Sequence, residues 1–152
     1  MKLEYGAVNA TLVMDGLNYP DDLVIDSEAW SVAVDEKDAI YVATFDGNVI
    51  KWKKNESGKG EIVVDQLGEP RGISVDSRGT LYIANCGGNS IVRVLAGSKN
   101  ATIIAAGNGI GDAPDQLYNP DDLAFDSYGN LYVSDYGNGR VQMFKINIKK
   151  FQ

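Results

Sequence analysis

Two pairs of adjacent carboxylates, Asp21-Asp22 and Asp121-Asp122, have the residue type and spacing to hold Ca²⁺ or Mg²⁺, which favour oxygen ligands. Each pair follows a proline, Pro20 or Pro120, at the start of a run with strand character. A related segment reads Arg71-Gly72 at the same place, so a third acidic ligand is not supplied. Solvated or structural aspartates are therefore expected, with the metal site as the alternative. The sequence contains no histidine, which removes the commonest general base and the commonest zinc ligand together. The single cysteine, Cys86, excludes an internal disulfide and a Cys-rich metal site, and reads as a small packing residue. Ser-His-Asp and Cys-His nucleophile systems are absent for the same reasons. Gly107-Asn108-Gly109-Ile110-Gly111 has the look of a phosphate cradle, but it lacks the Gly-Lys-Ser/Thr ending and precedes no helical pattern. It reads as a flexible connector, and no cofactor is expected.

The elements that must position these residues come from an internal repeat. Residues 29–52, 70–94 and 120–144 align as strand, tight turn, strand, short loop, strand. Ile73-Ser74-Val75 and Leu123-Ala124-Phe125 alternate large with small or polar side chains, the period of a strand with two unlike faces. Asp76-Ser77-Arg78-Gly79 and Asp126-Ser127-Tyr128-Gly129 have turn chemistry, and Asp35-Glu36-Lys37-Asp38 is the same turn with Asp in place of Gly. Ile40-Tyr41-Val42, Leu81-Tyr82-Ile83 and Leu131-Tyr132-Val133 are β-branched and aromatic strand runs. Asp46-Gly47-Asn48, Gly87-Gly88-Asn89 and Gly137-Asn138-Gly139 supply a second, hairpin turn. A fourth strand follows at 61–64 and 101–105, and a similar run occupies 10–14. Both 20–26 and 29–35 have the character of a first strand, and the sequence leaves open which lies innermost.

Four-stranded antiparallel units repeated in this way are the pattern of β-propeller blades. Pro120 through Phe144, Pro70 through Val94 and, more loosely, Ala29 through Trp52 join a Pro-led strand, an Asp-x-x-Gly turn, a Leu-Tyr-Val strand and an Asn-x-x-Val ending. This pattern resembles the NHL repeat, over roughly residues 11–146. The fold expected is all-β, a partial propeller of about three four-stranded antiparallel blades. One segment would span 1–152, with a blade remnant at 10–26, blades at 27–65 and 66–106, and a blade at 107–148 lacking its last strand.

The resemblance implies several activities, and the residues sort them. Peptide-amidating lyases of similar architecture use histidine-bound zinc, which this sequence cannot provide. NHL domains of tripartite-motif proteins bind RNA or protein through one propeller face, a face that is basic in the RNA binders. The net charge of −7 disfavours nucleic acid. The expected function is thus a non-enzymatic module binding a protein, peptide or glycan through face loops. Asp46, Arg71, Tyr118, Asp121, Asp122, Tyr136 and Arg140 are the expected contacts. Phe45, Cys86 and Tyr136 share one repeat position, so packing between blades competes with contact at Tyr136. The alternative is a metal-dependent lactonase-like hydrolase or a degenerate relative, using Asp21, Asp22, Asp121 and Asp122.

Residues 1–50 carry ten acids against two lysines, whereas 137–152 carry four cations and no acid. Opposite charge at the two ends is compatible with a head-to-tail homodimer completing a six-bladed ring. No apolar run approaches the roughly 18 residues of a membrane span, and the first residues lack a secretory core. As written, the chain reads as cytoplasmic. N-glycosylation sequons at Asn9, Asn55 and Asn100 point instead to an extracellular parent, should this be part of a longer chain.

Overall fold

Every sheet of this protein turns on an aspartate. The computed structural model describes residues 29–53 and 60–146. In it Asp35, Asp76 and Asp126 each end a first strand and close the turn to the second. One carboxylate oxygen accepts the amides two and four residues on, Lys37 and Ala39, Arg78 and Thr80, or Tyr128 and Asn130, all at 2.9 Å. The other accepts the hydroxyl of the tyrosine six residues on, Tyr41 at 3.1 Å, Tyr82 at 3.4 Å or Tyr132 at 3.3 Å. This bond links the Asp turn of the repeat to its Leu-Tyr-Val strand. Gly79 and Gly129 take φ of 81° and 83° there, and Asp38 adopts φ 61° in the same place, a conformation that Asp tolerates better than most residues.

Eleven strands follow along the described residues. The first sheet runs β1 (Ala29–Val34), β2 (Ile40–Thr44), β3 (Val49–Trp52) and β4 (Glu61–Val64), in sequence order and antiparallel. The second repeats this with β5 (Pro70–Val75), β6 (Leu81–Asn85), β7 (Ser90–Val94) and β8 (Ala101–Ala106). The third has β9 (Pro120–Phe125), β10 (Leu131–Asp135) and β11 (Arg140–Phe144). Among the described residues nothing pairs with the outer edge of β11. Ala29–Val34 is thus the first strand of its sheet, equivalent to Pro70–Val75 and Pro120–Phe125. Residues 10–14 and 20–26 lie outside the described residues.

The alternation in the strands explains how the sheets stack. Leu81 and Ile83 of β6 project to one side and pack with Val92 and Val94 against Tyr41, Ala43, Val49 and Val64 of the first sheet. Tyr82 and Ala84 project to the other and pack with Ile91 against Leu123, Leu131 and Val133 of the third. Tyr82 meets Phe125 edge to face, ring centroids 4.7 Å apart. The middle sheet is therefore apolar on both faces, and each fully buried aliphatic side chain contributes about 1.5–3 kcal/mol. The first strands β1, β5 and β9 pass side by side along this stack.

Candidate functional site

At one rim of the stack, here the upper rim, each first strand begins and each second strand ends. The register there is the same in all three sheets. Ala29, Pro70 and Pro120 stand opposite Thr44, Asn85 and Asp135, and pairing resumes at Ser31, Gly72 and Asp122. The residue between is left unopposed in a β-bulge. Those three residues are Trp30, Arg71 and Asp121. A bulge bends its strand and re-aims the side chain it carries, and here it does so three times at equivalent positions.

The bulged side chains meet in a row. The Arg71 guanidinium lies 5.0 Å from the Trp30 ring centroid. Its Nη1 donates to Asp121 Oδ1 at 3.3 Å, and its Nη2 to Glu69 Oε2 at 3.3 Å. Phe45, from the hairpin turn of the first sheet, stacks on Trp30 with centroids 5.9 Å apart and planes 26° apart. Gly72 lets this happen, because a Cβ there would stand 2.7 Å from the Asp122 Cα in the next sheet. The arrangement presents an aromatic face, a delocalised cation and a carboxylate in sequence, with Trp30 41% and Phe45 55% exposed.

The third sheet adds a second cluster at the same rim. Asp135 is completely buried; its carboxylate accepts the Tyr118 amide at 2.7 Å, Asn138 Nδ2 at 2.8 Å and Arg140 Nε at 2.8 Å. Arg140 then donates to the carbonyls of Asp112, Ala113 and Gln116 at 2.6, 3.3 and 3.1 Å. Asn138 reaches the Gly111 carbonyl, and Asn108 reaches Asp115. The glycine-rich connector, expected to be flexible, is a folded loop gathered by the third sheet's own hairpin.

The expected contact residues are distributed as follows. Arg71 and Asp121 come together in the bulged row. Asp122 stays in its own strand, its amide donating to Ser134 and its Oδ1 accepting the Leu123 amide. Asp46 is held by the Thr44 hydroxyl and Asn48 Nδ2 at the first hairpin turn. Tyr118 and Tyr136 sit beside Asp135, 40% and 71% exposed. Arg140 has its fork directed into the connector. Of the three residues sharing one repeat position, Cys86 is buried, while Phe45 and Tyr136 are exposed rather than packed between blades. Burial pushes the Cys86 thiol up, away from the reactive thiolate. Asn100 is exposed just before β8. Asp21, Asp22, Asn9 and Asn55 lie outside the described residues, among which no three His, Cys, Asp or Glu side chains converge as a metal site.

Trp30 and Phe45 escaped the sequence reading of the site. A signal for Trp30 existed: in the repeat alignment it stands in the same column as Arg71 and Asp121.

Comparison with known proteins agrees with this geometry. A family model of the NHL repeat matches residues 117–144. No curated protein matches the chain in sequence. Among solved structures, one of a nidogen–laminin complex matches with a TM-score of 0.60 at 20% identity, over 76% of this chain and 42% of that one. A streptogramin B lyase matches with a TM-score of 0.58 at 13% identity, over 82% and 42%. The WD40 β-propeller domain of Doa1 matches with a TM-score of 0.60 at 19% identity, over 79% and 38%. At these identities the likeness is one of fold, and the chain spans about two fifths of the length of each structure. The protein is an arc of a β-propeller whose third blade carries an NHL repeat.

Proposed function

We propose that this arc is a non-enzymatic interaction module that binds a protein or peptide segment on its upper rim. The observation that carries this reading is the bulged row, Trp30, Arg71 and Asp121, repeated in register across three blades. Trp, Tyr and Arg dominate binding hot spots; the aromatics bring large contact area with few rotors to freeze, and Arg brings a planar fork of donors. Trp30, Phe45, Tyr118 and Tyr136 supply such area here, and Asp46 and Asp121 flank it with carboxylates. A protein complex among the structural neighbours fits the same use of the fold.

The test is selection of a random peptide display library on the immobilised chain, followed by titration of the winning peptide. Trp30→Ala should weaken it at least tenfold, equivalent to about 1.4 kcal/mol. Tyr128→Ala, 90% exposed at the opposite rim, should leave it unchanged. Peptides that bind Trp30→Ala and Arg71→Ala as tightly as the wild type would sink the proposal. A glycan array run in parallel decides whether a sugar replaces the peptide as ligand.

A second copy of the chain is a further partner that one observation favours. The outer edge of β11 is unpaired among the described residues, and Val141 and Met143 on its face are 71% and 43% exposed. Pairing with residues 10–14 of another copy would satisfy that edge, and the blade stacked next to it in a six-bladed ring would cover the two side chains. Light scattering should then give the mass of two chains, and a single-chain mass in dilute buffer would exclude it.

A further inference from the structure

The opposite rim holds a cavity of about 300 Å³ between the first and second blades. Its position is fixed by three turns: 35–38 from the first blade, and 76–79 and 95–98 from the second. Four cations line it, Lys37 and Lys51 from the first blade and Arg78 and Lys99 from the second. That concentration is unexpected in a chain with a net charge of −7. The floor is apolar, made of Val63, Leu81, Val94 and Leu95.

Three acids also line the cavity, Asp35, Glu36 and Glu61, and two of them are already committed. Asp35 accepts the amides of Lys37 and Ala39 and the Tyr41 hydroxyl. Lys51 sits 4.9 Å from the Tyr41 ring centroid and answers the charges of Asp35 and Glu61. Lys37 and Lys99 form no ion pair with any described residue, and Arg78 reaches Asp76 only at 3.6 Å. Lys51 offsets one of the two charges beside it, so Glu36 and one further carboxylate stand against Lys37, Arg78 and Lys99. Four cations against three acids leave the lining a surplus of one positive charge beside its apolar residues.

A second cavity occupies the equivalent place between the second and third blades, lined by Tyr82, Phe125, Asp126 and Arg78. Among the described residues of the third blade, none that lines it is a cation. Tyr128 stands where the first blade has Lys37, and Met143 stands opposite Tyr132 where Lys51 stands opposite Tyr41. The second blade keeps a cation in both columns, Arg78 in that of Lys37 and Arg93 opposite Tyr82 in that of Lys51, so the repeat supplies part of the cation wall and the third blade departs from it.

We propose that the cavity between the first two blades is a binding site for a small organic anion, a phosphate monoester on a short apolar body. Lys37, Arg78 and Lys99 converge on the phosphate oxygens as charged donors, while Val63, Leu81, Val94 and Leu95 cover the apolar part. The volume is that of a small-ligand pocket. Because the lysines are exposed, affinity falls as salt rises. This site is independent of the upper rim and of the proposal made for it.

Phenyl phosphate, phenol and inorganic phosphate are the probes, titrated into the ¹⁵N-labelled chain at low salt and followed by amide shifts. Phenyl phosphate should bind with a Kd on the order of 1 mM or below and shift amides of the 35–38, 76–79 and 95–98 turns. Phenol and inorganic phosphate should each bind at least tenfold more weakly. The double variant Lys37→Gln/Lys99→Gln should lose at least fivefold in affinity with its amide spectrum otherwise preserved. Lys145→Gln, an exposed lysine outside the cavity, should lose nothing. Equal binding of phenol removes the anion from the proposal, and equal binding of inorganic phosphate removes the organic body; either overturns it. So does wild-type affinity in the double variant, or shifts confined to the upper rim.

Discussion

In the second blade the corner after β6 is held by Asn85, whose Oδ1 accepts the amides of Gly68 and Glu69 at 3.0 and 3.2 Å. In the third, the equivalent corner is held by Asp135, buried and paired with Arg140. The register partner of Asn85 is Ser90, and that of Asp135 is Arg140. A neutral corner and a charged corner thus occupy one place in the repeat. The difference follows from the connectors they hold. The second blade is reached through residues 65–69, and the third through residues 107–119. A longer segment costs more entropy to close, and one amide cannot gather it. Asp135 organises the near end, and Arg140 takes three carbonyls of the far end. A buried charge pair serves here to fix a loop in one arrangement, the specifying role that such pairs fill in some proteins.

That contrast can be broken from its charged side first. Arg140→Ala leaves a fully buried carboxylate without its cation and frees the carbonyls of residues 112–116. It should cost about 3–5 kcal/mol in urea unfolding, the largest effect expected from any one of these changes. Asp135→Asn rebuilds the third corner on the plan of the second. It keeps an acceptor for the Tyr118 amide but weakens the hold on Arg140, and should cost about 1–3 kcal/mol. Asn85→Ala removes one acceptor from two amides close to solvent, so about 1–2 kcal/mol is expected. If Asn85→Ala proves as costly as Arg140→Ala, the two corners are equivalent and the loop-length argument fails.

The smallest effect sharpens the contrast from the other rim, where a carboxylate does similar work in the first and third blades. Burial opposes ionisation of Asp35, but the amides of Ala39 and Lys37 and the Tyr41 hydroxyl outweigh it and hold the carboxyl below its usual value. The Asn130 side chain, with the amides of Asn130 and Tyr128, does the same for Asp126. A depressed folded pKa contributes stability above the unfolded value, near 4. That stability is lost as pH falls through the folded value. The Asp126→Asn variant should therefore lose less stability than the wild type between about pH 4 and pH 2. An unchanged acid slope, measured by urea midpoints, would remove Asp126 from the account.

The blades were legible in the sequence because their determinants are local. An aspartate, a residue able to take positive φ and a tyrosine six positions on are fixed by spacing alone, so even Asp38 in place of glycine did not hide the turn. Arg71 and Asp121 were legible as rim residues because they follow the prolines that open their strands. Trp30 could have been found only through the repeat column it shares with Arg71 and Asp121, since no residue type announces a bulge, which appears only when two strands are paired. Arg140 was read as a contact residue from its type. The carbonyls of Asp112, Ala113 and Gln116 that occupy it are backbone atoms 24 to 28 residues away, which leave no mark in a sequence. Phe45 and Tyr136 were read through their shared column with Cys86; the turn of Phe45 is one residue shorter, while that of Tyr136 has the length of the Cys86 turn and still leaves its side chain exposed.

Gly72 has a consequence for how closely the second and third blades can approach. Its missing Cβ lets β5 lie against the backbone of Asp121 and Asp122 in the neighbouring blade, closer than any other residue would permit. In a radial assembly the spacing of the inner strands sets the hub, and the hub sets how many spokes fit around it. A methyl group at this one position would widen the hub locally and flatten the arc. The spacing between the second and third blades is thus written, in part, into a single hydrogen atom.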